Sequence, residues 1–317
     1  MRDVVVVGSY VQDLAFRTDK FPAPGETRIG AFLAGPGGKG FNQAVAASRL
    51  EADTLFIGAV GDDIFAAGLR EFIAGEKLRA GLQVCAEHPT GAASIVVNAQ
   101  AQNLIVVALG ANNHLTPDHI LKFADDIAHS KILVCQVENN LSATRAAMTI
   151  ARKNGVTTIL NPAPINDGLT QDLVALADIL TPNETEFVFL MKKILNETIA
   201  DDFWTGDDAG IHRHCRRSGV DTVVLTLGDK GCFVSHAPGS RFVGAAGPFY
   251  RIPAIRIDAK DTTGAGDAFN GALAAALARA PDDFRAAAAF ANKAAGLSTT
   301  RPGTAPAMAT LAEVDAC

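Results

Sequence analysis

Val4-Val5-Val6-Val7 sets four β-branched residues in a row with nothing polar between them, the pattern of a strand buried on both faces. Outward from it, short apolar runs alternate with alanine-rich amphipathic segments: Gly38 to Leu50, Leu55 to Val60, Ile64 to Glu76, Ile132 to Cys135 and Ser142 to Lys153. The alternation continues through Thr157 to Leu160, Leu169 to Leu176, Ile179 and Leu180, and Thr222 to Leu227. That rhythm predicts βαβ units on a doubly wound, mostly parallel α/β sheet flanked by helices. Two long helices are expected near the end, Ala265 to Arg279 and Asp283 to Ser298, whose alanines favour helix and are small enough to pack closely. Leu195 to Gly210 reads as an irregular loop.

Two stretches break the rhythm. Tyr10 to Leu33 is punctuated by Pro22, Pro24 and Gly25, and in Thr90 to Val107 the strand-like ASIVVN and LIVVA flank a polar AQAQN. They are expected to form a small second sheet, inserted at about 10–34 and 90–108 into one domain spanning 1–317 and suited to act as a lid.

Composition narrows the partners. The chain has 317 residues, 48% hydrophobic and 20% charged, a balance that supports a folded core and argues against disorder. With 28 Lys and Arg against 34 Asp and Glu, the net charge is −6, which speaks against a nucleic-acid binder, because neutralising phosphates wants a basic face. Five cysteines without a CxxC pair write neither a disulfide framework nor a zinc site, and fit a reducing cytoplasm. No apolar run approaches the ~18–20 residues that cross a bilayer, and the start MRDVVVVGSYVQD turns polar too soon for a signal peptide, so no membrane partner is expected. His212 and His214 alternate on an expected helix and do not share a face, which reads as a solvated helix and not as a metal site.

Two glycine clusters carry the chemistry. Gly35-Pro36-Gly37-Gly38-Lys39-Gly40 spells GxGxxG, but it arrives after the irregular insert and not directly after the first strand, so it is not read as a dinucleotide fingerprint. Gly40 also stands where a P-loop needs Ser or Thr. What remains is a flexible backbone opening a helix, with Lys39 and Asn42 near its start to meet an oxygen-rich ligand. The second cluster, Asp261-Thr262-Thr263-Gly264-Ala265-Gly266-Asp267, lets consecutive N–H groups point outward at a helix start, an anion nest reinforced by the helix dipole. Asp267, in the first turn, is placed to take a proton from a hydroxyl attacking a phosphoryl group held there. Ser9 lacks the GxSxG setting of a hydrolase nucleophile.

GPGGKGFNQAVAASRL at 35–50 and DTTGAGDAFNGAL at 261–273 resemble the two signatures of the ribokinase-like (PfkB) sugar kinases, and NPAP at 161–164, TPNETE at 181–186 and TLGDKG at 226–231 resemble family motifs in the right order. The resemblance runs from Val4 to about Ala307. It implies an ATP-dependent sugar kinase, with D-ribose to ribose 5-phosphate as the first expectation. It further implies Asp267 as catalytic base, the amides of Gly264, Ala265 and Gly266 as anion hole, and Asp13, Gly38, Lys39, Asn42 and Glu138 on the sugar hydroxyls. Asn183 and Glu186 would order the waters of a Mg²⁺ ion; Thr226, Gly228 and Gly231 would line the nucleotide groove, with Asn292 near the adenine and Asn161 beside the phosphates. A monovalent cation, K⁺, is implied at Asp261 and at carbonyls around Thr263, Ser298, Arg301 and Gly303, and a homodimer through the lid.

Three positions depart from the family pattern: Val11 where Asn is usual, Phe41 where a small residue is usual, and Lys260 where an apolar one is usual. A lost polar contact at Val11 and added bulk at Phe41 would turn preference toward another sugar, a ketose, deoxy or modified sugar, or a nucleoside. A non-catalytic sugar sensor is the reading from a different class; intact Asp267, Asn183 and Glu186 speak against it.

Overall fold

The computed structural model describes residues 2–100 and 102–317; Ala101, in the expected AQAQN turn, lies outside the described residues. The strands are β1 (Val4–Val7), β2 (Val11–Arg17), β3 (Ala31–Gly37), β4 (Thr54–Val60), β5 (Arg79–Val84), β6 (Gly91–Val97), β7 (Asn103–Ala108), β8 (Ile132–Cys135), β9 (Thr157–Leu160), β10 (Ile179–Leu180), β11 (Thr222–Thr226), β12 (Cys232–His236) and β13 (Phe249–Ile252). Nine of them form the main sheet in the order β13-β12-β11-β10-β9-β8-β1-β4-β5. Pairing is parallel from β5 to β11, while β12 and β13 add an antiparallel edge.

The valine run sits at the centre of that order because it has a hydrophobic layer on each side. Val4 and Val6 join one buried cluster with Phe56, Val134 and the alanines of the C-terminal helices. Val5 and Val7 join the other, with Ile57, Leu133 and Met148. All four are fully buried, each worth about 1.5–3 kcal/mol of apolar transfer. β1 has β4 on one side and β8 on the other, so the chain winds outward in both directions from the gap between β1 and β8. Such a switch point leaves a crevice beyond the carboxyl ends of the strands, where ligands bind in open α/β sheets.

β2, β3, β6 and β7 form the separate four-stranded sheet, in the order β3-β2-β6-β7, as expected for the two inserts. Alternation gives it two distinct faces. Val11, Asp13, Ala15 and Arg17 share one face with Ala93, Ile95, Ile105 and Val107, turned toward the main sheet's crevice. On the other face a row crosses all four strands, Phe32, Phe16, Val96 and Leu104.

The helix expected over Leu169 to Leu176 is a single turn, Gln171–Val174, because Ile179 must already enter β10. Leu195 to Gly210 is irregular apart from a short turn at Phe203–Thr205 and the start of the Asp208–Arg217 helix. That helix is less solvated than expected: His212 stacks on Phe249 and bonds to Ser235, while His214 packs edge-on to Phe203.

Two helices from opposite ends of the chain, Lys39–Arg49 and Ala265–Arg279, cross over the sheet at Gly271. A Cβ added at Gly271 would stand 2.6 Å from the Ala46 Cβ and closer still to the Gln43 carbonyl oxygen, so no larger residue fits without moving the helices apart. Gly271→Ala should therefore cost about 1–3 kcal/mol of stability, the usual penalty of overpacking. Denaturant unfolding measures it, and an unchanged midpoint would show that the two helices separate freely.

Candidate active site

Asp267 lies in the first turn of the Ala265–Arg279 helix and is 6% exposed. The crossing at Gly271 brings two amides of the Lys39–Arg49 helix against it: Asn42 Nδ2 donates to Oδ2 and Gln43 Nε2 to Oδ1, both at 2.9 Å. Gln43 is in turn held on both sides, donating to Asn161 Oδ1 at 3.1 Å and accepting from Gln136 Nε2 at 2.7 Å. Asn161 donates to the Thr181 carbonyl at 2.9 Å, and the Thr181 hydroxyl donates to Asn270 at 2.6 Å. The carboxylate is thus fixed by a fully buried amide network, and a rigid base needs no reorganisation when it acts.

At the amino end of that helix Gly264 holds φ +80°, a conformation costly for any side chain, and no side chain caps it. Ala265 N–H turns back to the Thr262 carbonyl at 3.2 Å. Of the three amides expected in the anion hole, those of Gly264 and Gly266 donate to no group among the described residues, and that of Asp267 joins them. The space a side chain would take at Gly266 is open. Free amides, a helix terminus and a cleared approach are the ingredients of an anion site.

The crevice beside Asp267 is a cavity of 470 Å³ between the small sheet and the switch point, lined by Val11, Asp13, Gly38, Lys39, Asn42 and Glu138, among others. Every residue expected on the sugar is in it. Glu138, just beyond β8, accepts at Oε2 from the Ser9 hydroxyl at 2.5 Å and from the Lys39 amide at 3.0 Å. Lys39 is surrounded by carboxylates: burial works against its ammonium, but Asp267, Glu138, Glu186 and Asp13 outweigh it and hold its pKa above the ordinary lysine value. Asp13 is held by Thr304, whose hydroxyl donates to Oδ2 at 2.8 Å.

Asn183 and Glu186 cap the Glu184–Leu195 helix reciprocally, Glu186 N–H donating to Asn183 Oδ1 at 2.8 Å and Asn183 N–H to Glu186 Oε2 at 2.9 Å. Burial pushes the Glu186 carboxyl up, against the Asn183 amide and Lys39, which lower it. Asn183 also bridges to Thr226 at the end of β11, which sets Thr226, Gly228 and Gly231 next to the capped helix. At the far end of that turn Asn292 Nδ2 donates to the Ile252 carbonyl at 3.2 Å, close against Gly231.

Asp261 joins two loops, accepting from Thr263 N–H at 3.0 Å and from Gly303 N–H at 3.2 Å, with Arg17 Nη2 3.7 Å away. The Arg301 and Ser298 side chains are spent elsewhere, on Glu313 and on the Ala295 carbonyl, so only their main-chain oxygens are left to offer. Lys260 is exposed, and its amide, like that of Asp261, donates to the Thr299 carbonyl.

Two departures therefore sort differently. Val11 does line the cavity. Phe41 does not: it is fully buried on the opposite side of its helix, edge-on to Tyr10 and Phe56 with ring centroids 5.4 Å apart and near Phe72, so the expectation that it adds bulk to the cavity is corrected. Four residues that the motifs left unmarked belong to the site: Gln43 and Gln136 behind Asp267, Ser9 on Glu138, and Thr304 on Asp13. For Gln43 a signal existed, a second amide beside Asn42 in an otherwise apolar helix.

Burial, with added repulsion from Glu138, Asp267 and Asp261, pushes the Asp13 carboxyl up to about 6 against the lowering effect of Thr304. The folded chain then holds this proton more tightly than the unfolded one, so stability falls as the pH rises from about 4 to about 6. Asp13→Asn should raise the melting temperature near pH 8, by a gain of order 2 kcal/mol, and change it little near pH 4. The same gain at both pH values would remove the charge burial from the argument.

The pfkB family carbohydrate kinase model matches residues 1–311. A ribokinase of Staphylococcus aureus is 36% identical over 98% of both chains, and a deoxyribokinase of Salmonella typhi 33% identical over 95% of this chain and 94% of its own. The structure of Arabidopsis thaliana ribokinase complexed with ribose and ATP superposes with a TM-score of 0.81 at 26% identity, covering 99% of this chain and 98% of that one. A buried, doubly held carboxylate under a free helix terminus, in a crevice roofed by a small sheet, thus stands in a chain that belongs to the pfkB family of carbohydrate kinases and is a sugar phosphotransferase.

Proposed function

We propose that the protein transfers the γ-phosphoryl group of ATP to the primary hydroxyl of D-ribose, giving ribose 5-phosphate. The observation that carries this reading is Asp267, fixed by Asn42 and Gln43 beside the free amides of Gly264 and Gly266. Asp267 takes the proton of the sugar hydroxyl as its oxygen attacks the γ-phosphorus and the bond to the bridging oxygen breaks, ADP leaving, while the amides, reinforced by the helix dipole, stabilise the charge on the phosphoryl oxygens. Asp13, Gly38, Lys39, Asn42 and Glu138 orient the sugar, the Lys39 ammonium held charged by its neighbours. Asn161 borders the phosphates, and Thr226, Gly228, Gly231 and Asn292 form the nucleotide groove.

The cations fit the donor sets. Glu186 has one carboxylate oxygen engaged by the Asn183 amide and one left for a metal-bound water, as a Mg²⁺ ion that spreads phosphate charge would require. Asp261, whose carboxylate meets the Thr263 and Gly303 amides, and the carbonyls of Thr263, Ser298, Arg301 and Gly303 would offer K⁺ an all-oxygen set, and the ion would add positive charge behind the anion hole.

Val11 offers no hydrogen bond to the sugar, and a site that lacks one polar partner discriminates less between substrates with and without a hydroxyl there. A deoxy sugar is therefore the second reading. Comparing kcat/KM for ribose, 2-deoxyribose, fructose and adenosine separates the two. In the same assay Asp267→Asn should lower turnover about 10²–10⁴-fold while ATP still binds; unaltered turnover would remove Asp267 as the base.

The lid's outward row supports a homodimer. Phe16, Phe32 and Leu104 are 44%, 58% and 55% exposed, and Val106 beside them 72%, an apolar surface of the kind that a second copy covers. Light scattering at micromolar concentration should give twice the chain mass of 33.0 kDa, and a monomer would discard the dimer alone.

A further inference from the structure

Asp13 stands in a partition. On one side is the cavity that holds Lys39, Asn42 and Asp267; on the other, under the β2 and β3 half of the lid, lies a second cavity of 260 Å³. The second is lined mainly by apolar groups, Ala15, Leu33, Ile95, Val97, Pro302 and Pro306, with the paired charges of Arg17 and Asp261 also on its wall. Asp13 and Thr304 line both. An aspartate rotates between staggered positions at small cost, so a carboxylate with open space on two sides has more than one place to go.

Thr304 limits that freedom. Its hydroxyl lies 2.8 Å from Asp13 Oδ2 and 3.1 Å from the Pro36 carbonyl oxygen, and a hydroxyl has one proton to give. The ionised carboxylate is the stronger acceptor. Thr304 is itself buried, and it follows directly on Gly303, which Asp261 holds, so the anchor is part of the body and not of the lid. Asp13, by contrast, belongs to β2 of the lid.

We infer that Thr304 is a positioning residue for sugar recognition: its hydroxyl pins Asp13 Oδ2, presents Oδ1 to the sugar and keeps the carboxylate out of the apolar cavity behind it. The same hydrogen bond ties the lid to the body beside the sugar. This rests on the reading of Asp13 as a sugar ligand, and the experiment keeps the two apart.

Thr304→Val preserves the shape and removes the donor; Thr304→Ala removes it with less bulk should valine not be accommodated. A hydrogen bond to a charged group is worth enough to raise the KM for ribose roughly 10- to 100-fold. Turnover and the KM for ATP should stay within roughly twofold, since the hydroxyl touches neither Asp267 nor the nucleotide groove, and Thr304→Ser should restore the sugar KM. Asp13→Asn is measured alongside. If it raises the sugar KM and the two donor-less variants do not, Thr304 has no positioning role and Asp13 keeps its own. If Asp13→Asn leaves the sugar KM unchanged, both assignments fall. A uniform loss in turnover, ATP KM and melting temperature, not rescued by serine, would make Thr304 a structural prop and overturn the inference.

Discussion

Everything in the site depends on how closely two helices approach. Asp267 and Asn42 are separated by 225 residues, and they meet because the Lys39–Arg49 and Ala265–Arg279 helices touch backbone to side chain at Gly271. Alanine and glycine face each other there, so the helix axes lie closer than leucine or valine would allow. Gln43 exploits the short distance. It is completely buried, and its amide spends its nitrogen on Asp267 and Asn161 and its oxygen on Gln136. A buried amide is costly when left unpaired and stiff when fully paired, so moving the helices apart would cost Gln43 the bonds that hold the base.

Charge is the second constraint. Asp13, Glu138, Glu186 and Asp267 face a single ammonium, that of Lys39. The surplus is visible in Asp13, whose carboxyl is pushed up by burial and by its acidic neighbours, and in the raised Glu186. The free amides at the Ala265–Arg279 helix start are the other positive element. A cavity with this distribution favours ligands that bring hydroxyl donors to the acidic wall and anionic oxygens to the helix terminus.

Much of this is legible in the sequence. The valine run, the alanine-rich helices and the two inserts predicted the doubly wound sheet and its roof, because hydrophobic period and turn residues are local properties. β5, β12 and β13 were not legible: Arg79, Gln83, Ser235, His236 and Arg251 interrupt their apolar pattern, and an antiparallel edge breaks the expected βαβ rhythm. Motifs marked Asp267 and the cavity wall but not the residues that aim them. Ser9, Gln136 and Thr304 act across loops whose meeting is decided by the sheet order, which no single stretch contains. Phe41 shows the reverse error, that of taking sequence adjacency for shared direction. Lys39 and Asn42 are three apart and lie on one face of the helix, while Phe41 between them turns to the core.

The small sheet is a single layer, and in β2 the side chains that reach the sugar cavity alternate with those that face outward. Asp13 points in; Gln12 and Leu14 point out. Inserting or deleting one residue within this strand would exchange the two sets, placing an amide or a leucine over the sugar and a carboxylate on the apolar exterior. Two unrelated surfaces are thus written on one reading frame of alternate residues, so length variation in this part of the chain is tolerable only in the connection at 18–30, where no strand register is at stake.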